Sequence, residues 1–184
     1  MRYIVVLFSF FLLLSCGEEV LIKPKAMLRL EYPEPVYQKI NLGCPFSFEV
    51  NMQANTSRKD NCWINLEYPK MKATIYLTYR SVGDNLDSLL FDAQKLTYDH
   101  TIKASVIEDL AYEDSIKKVY GMYYEIGGNA ATPSQFFVTD TVNHFITGSI
   151  YFNTKPNFDS IYPAVEYLRR DIRRIMETIE WEEK

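Results

Sequence analysis

The chain has 184 residues, with 24 acidic against 20 basic side chains and a formal charge of −4, a balance that argues against a nucleic-acid partner. Its apolar fraction of 47% excludes a disordered chain and supplies a core. Once a leader is set aside, the length suits one domain rather than two.

Arg2 precedes an apolar run at residues 4–14 that is too short to span a bilayer as a helix, the arrangement of an export signal. The run ends in Leu13-Leu14-Ser15-Cys16-Gly17, which resembles the lipobox of bacterial lipoproteins, where the cysteine is acylated and becomes the first residue. Residues 1–15 are therefore read as a signal peptide and Cys16 as a membrane anchor. More than one acyl chain holds where a single chain binds only reversibly. Residues 16–40 contain Pro24, Pro33 and Pro35 among scattered charges and read as an extended tether that packs partly on the domain, with the domain itself at 41–184.

Beyond the tether, Phe46, Phe48 and Val50 alternate with Ser47 and Glu49, as in a strand. A polar stretch at 51–61 reads as a loop leading to a second alternating run at 62–68. Ala73, Ile75, Leu77 and Tyr79 mark a third strand, which the turn at 83–85 ends. Asp84 or Asn85 can cap a helix with Leu86, Leu89, Leu90, Ala93, Leu96 and Thr97 on one face, running to about Lys103. A charged segment read as irregular follows, then strand patterns at 119–126, 135–138 and 145–152 joined by hairpins. Ile161, Val165, Leu168, Ile172, Ile175 and Ile179 form the stripe of a final helix, with Arg170, Arg173 and Arg174 on its other side as a solvated face. The succession predicts an α+β fold, a mainly antiparallel sheet flanked by helices, and its layout resembles the PsbP/Mog1 type of α-β-α sandwich.

With Cys16 acylated, Cys44 and Cys62 remain, and an exported compartment permits them to pair. Two free thiols or a metal site are the other readings, the latter short of ligands with His100 and His144 the only histidines. No nucleophile elbow, zinc-protease motif, Walker loop or dinucleotide turn is present, and no cofactor is implied. His100, on the helix stripe, and His144, on a strand face, read as packed residues rather than catalysts. Gly127-Gly128-Asn129 reads either as a hairpin turn or as a contact loop whose small side chains leave backbone open to a partner. The many aromatics in strands need a cover on each face of a sheet, so any face left bare suits recognition of protein or glycan.

Three segments carry a wider likeness: Ile22-Lys23-Pro24-Lys25 with Leu28-Arg29-Leu30-Glu31-Tyr32-Pro33, Cys62-Trp63-Ile64-Asn65-Leu66-Glu67-Tyr68-Pro69-Lys70, and Tyr120-Gly121-Met122-Tyr123-Tyr124-Glu125-Ile126-Gly127-Gly128-Asn129-Ala130. They closely resemble the gliding-motility lipoprotein family GldD of Bacteroidota. The resemblance implies a non-enzymatic envelope lipoprotein needed for gliding, lipid-anchored in the outer membrane on its periplasmic face. It also implies association with the type IX secretion machinery, with other motility and secretion proteins as partners. A glycan- or small-ligand-binding lipoprotein is the alternative, and a cell-wall or glycan hydrolase the next. Asp87-Ser88-Leu89, Asp114-Ser115-Ile116, Asp140-Thr141-Val142 and Asp159-Ser160-Ile161 further match the triplet that the same bacteria use for O-glycosylation, with helix and capping roles as the structural explanation for Ser88 and Ser160.

Overall fold

A computed structural model describes residues 30–99, 103–154 and 157–182. In chain order the described elements are β1 (Tyr37–Ile40), β2 (Phe46–Asn51), β3 (Asn55–Lys59), β4 (Trp63–Tyr68), β5 (Ala73–Ser81), α1 (Leu86–Tyr98), β6 (Ala104–Asp114), β7 (Val119–Gly128), β8 (Ser134–Thr139), β9 (His144–Phe152), α2 (Phe158–Thr178) and β10 (Glu180–Trp181). Seven strands form one antiparallel sheet in the order β3-β4-β5-β9-β8-β7-β6, and β1-β2-β10 form a small second sheet. The fold is α+β. Among the described residues no helix is long and apolar enough to cross a membrane.

Period-two alternation decides which side chains meet which layer. Ile64, Leu66, Ile75, Leu77, Ile146 and Ile150 share one face of the large sheet and are almost wholly buried. They pack with Leu168, Ile172 and Ile175 of α2 and with Phe46, Phe48 and Val50 of the small sheet. On the opposite face Tyr124, Phe137 and Phe145 pack with Leu89 and Ala93 of α1. The helices thus lie on opposite faces, but α1 is short and sits over the β7-β8-β9 side alone.

Two links join the small sheet to the large one. Cys44, just before β2, and Cys62, just before β4, are both buried and form a disulfide with their Cα atoms 5.7 Å apart. An aromatic series continues the join: Phe46 stacks on Phe48 and on Tyr79, and Trp181 stacks on His144 with ring centroids 5.1 Å apart.

Four expectations need revision. The polar stretch at 51–61 contains β3, whose five residues Asn55–Lys59 are all exposed. The charged segment after α1 is the eleven-residue strand β6, not irregular chain. Both are edge strands, which expose so much side chain that no apolar alternation marks them. The first helix stops at Tyr98 rather than near Lys103. The arginine face of α2 is only partly solvated: Arg173 lies over the Tyr123 ring and Arg174 pairs with Glu49 at 2.7 Å.

Candidate functional site

Because α1 covers β7, β8 and β9, among the described residues no helix lies over the same face of β3, β4 and β5. The side chains that alternate with the buried row emerge there, in registered lines across the strands: Trp63 beside Thr78 and Thr147, Asn65 beside Tyr76 and Ser149, Glu67 beside Thr74 and Tyr151. Trp63 is 47% and Tyr76 40% exposed, large apolar surface on strands whose other face is core. Tyr151 meets Tyr76 edge-on at 5.8 Å and holds its ring in place. At the border with α1 a narrow crevice between Leu96 and Thr147 joins the patch to the helix, on which Phe91 and Tyr98 are also exposed. The result is a surface of aromatics among amide, hydroxyl and carboxylate groups, with a cavity of about 500 Å³ beside Trp63 at its end.

A groove of about 1430 Å³ opens at one end of the large sheet, where the β6–β7 and β8–β9 turns meet β10. His144 lines it, sandwiched by the Trp181 ring and bonded through Nδ1 to the Tyr79 hydroxyl at 2.9 Å. Burial opposes the charge of Asp140 in the same groove. Backbone N–H groups of His144, Asn143 and Val142 outweigh that and hold its carboxyl below the ordinary value. That carboxylate is engaged in shaping the turn. His100 lies outside the described residues, as does Cys16.

Gly127 and Gly128 are not a hairpin tip; they are the last residues of β7 and pair with Val106 and Ala104 across a bulge. A Cβ on Gly127 would lie 2.8 Å from a Val106 methyl, and one on Gly128, at φ +92°, 2.7 Å from the Ser105 nitrogen. The close backbone approach that glycine allows is therefore met by this chain's own β6. Asn129 stays exposed and its Oδ1 accepts the Phe158 N–H at 3.0 Å, capping the start of α2 from a distance.

The four Asp-Ser/Thr-apolar triplets are all exposed at their hydroxyl residue. Ser88 lies in the first turn of α1, and Ser160 in the first turn of α2 donates to the Asn157 carbonyl. Ser115 and Thr141 stand in the two turns beside the groove, where Asp114 and Asp140 accept backbone N–H groups two and three residues on.

A buried polar cluster that the sequence did not announce fixes β1 to the domain. Asp171 of α2, 1% exposed, accepts the Tyr37 hydroxyl at 2.6 Å and the Asn51 amide at 2.9 Å, and that amide also reaches Tyr167. Burial raises the Asp171 carboxyl above its ordinary value, and the donors Tyr37 and Asn51 oppose that rise. Spacing alone could have flagged Asp171, a lone acid on the apolar stripe between Leu168 and Ile175. Trp63 was legible too, since it alternates with Ile64, Leu66 and Tyr68.

A search of curated proteins gave no match. Residues 17–181 match the family described as gliding motility lipoprotein GldD, and this chain belongs to that family.

Proposed function

We propose that the protein is a non-enzymatic docking component of the gliding apparatus, anchored through Cys16 in the outer membrane and working beside the type IX secretion machinery. The observation that supports this most is the uncovered sheet face bearing Trp63 and Tyr76. A monomer gains nothing in stability from exposing such rings, and exposed aromatics with polar groups around them are what interface centres use. In this reading the domain supplies contact and position, and His144 serves packing between the two sheets.

The experiment is Trp63→Ala combined with Tyr76→Ala in cells, with spreading on agar and the anchored amount of protein measured together. Loss of gliding at normal abundance and fold is the expected result. Undiminished gliding overturns the assignment of this face. A second reading, a glycan-binding lipoprotein, draws on the hydrogen-bonding groups Asn65 and Glu67 beside the rings. Photo-cross-linking from position 63 separates the two: a protein adduct supports docking, and an adduct with polysaccharide alone supports glycan binding.

A further inference from the structure

β6 forms one edge of the large sheet: β7 pairs with one side of it, and among the described residues no strand takes the other. Its eleven residues therefore present an open row of main-chain donors and acceptors, the template for strand addition. Edges of this length are commonly blunted by Lys, Pro or a central bulge. β6 holds neither Lys nor Pro, and its bulge falls at the very start, between Ala104 and Val106.

What β6 does carry is negative charge on both faces. Register places Glu108 and Asp114 with Leu110 on the α2 side, and Asp109 and Glu113 on the α1 side. Asp114 is engaged with the turn and with Lys117. Among the described residues no Lys or Arg lies within ion-pair distance of Glu108, Asp109 or Glu113. Glu108 even stands opposite Glu125, whose charge Arg169 takes up at 3.4 Å. On the same face as Glu108, Val106 and Leu110 are 50% and 52% exposed.

Charge decides the occupant. A second copy of β6 would set four carboxylates against four, a pairing that like-charge contacts across strands disfavour. A strand in which basic and apolar residues alternate would instead set its basic face against Asp109 and Glu113 and its apolar face against Val106 and Leu110. We propose that β6 accepts, by strand addition, an extended segment of a partner protein in which Lys or Arg alternates with apolar residues. This surface is distinct from the aromatic face, and binding in solution does not depend on the gliding role, so either proposal can fail without the other.

The probe is a synthetic end-capped peptide of about ten alternating Lys and Val residues, the length of a typical strand. It is added to the mature chain while amide exchange is followed residue by residue. Expected is new protection of alternate amides within 104–114, with affinity about tenfold weaker for the variant Asp109→Lys with Glu113→Lys and weaker again in about 0.5 M salt. A peptide N-methylated at alternate residues keeps its charge and should give no protection. Equal binding by the N-methylated peptide or by its Lys→Glu counterpart overturns the proposal, as does protection elsewhere or none at all. Protection of the outer edge in the free protein also overturns it, because the edge is then already occupied. As a second variant, Glu108→Gln, Asp109→Asn and Glu113→Gln together remove the repulsion. Self-association through β6 is expected, and a strictly monomeric triple variant overturns the claim that charge guards the edge.

Discussion

The two faces of the seven-stranded sheet are built from the same alternating strands yet have opposite fates. One is sealed by α2 and the small sheet, and its residues from Ile64 to Ile150 are essentially inaccessible. The other, among the described residues, is sealed only where α1 reaches, and Trp63 and Tyr76 are exposed. Consecutive residues of β4 and β5 therefore answer to different demands: one set holds the fold, and its neighbours are free to serve contact.

Substitution on the sealed face should have the largest effect. Phe48→Ala, at the junction of the two sheets, is expected to cost about 3–5 kcal/mol, against about 1 kcal/mol or less for Trp63→Ala. Urea unfolding of both variants checks this, and comparable losses would erase the distinction between the faces.

The next effect belongs to the disulfide. Its 18-residue separation gives about 3 kcal/mol of stabilisation, so Cys44→Ser with Cys62→Ser should lower the unfolding midpoint accordingly. Identical midpoints for the double variant and the native protein would show that the bond does not staple the sheets.

The smallest effect is the most diagnostic. Tyr37→Phe removes one donor from Asp171 and should cost about 1–2 kcal/mol near neutral pH. Burial lifts the folded-state pKa of Asp171 above its unfolded value, so the stability linked to this group is complete below the unfolded value and is lost as pH rises through the folded one. The missing donor matters most to the charged carboxylate. The penalty should therefore shrink as pH falls from neutrality through the raised folded-state value, where the group takes up its proton. A penalty independent of pH would mean that the tyrosine acts by packing alone.

Every strand of three residues or more with a buried face was readable from the sequence, because burial imposes the alternation that reveals it. Phe46, Phe48 and Val50 gave β2, and the stripe from Val165 to Ile175 gave α2. β1, which reads as part of the tether, β3 and β6 escaped because edge strands are selected against apolar continuity, and Asn-Thr-Ser-Arg-Lys looks the same in a loop. The candidate surfaces were legible in kind but not in place. The sequence says only that a bare face would suit recognition; whether and where one exists depends on how far α1 reaches over the sheet, which local propensity does not fix. Gly127 and Gly128 were singled out for close approach, yet only the register could say that the approaching strand is β6.

β2 is gripped from both sides, by β1 through Tyr37–Ile40 and by β10 through Glu180 and Trp181, and Lys39 and Glu180 form an ion pair across it. The two flanking strands run in the same direction and belong to opposite ends of the described chain. For a body held by its N-terminal side, the mechanical consequence is a short circuit between the ends. Tension applied through β1 would pass into β2, and from there to α2 through the Asp171 cluster and to the start of β4 through the disulfide. The strands of the large sheet then lie off the direct path between the two ends of the described chain.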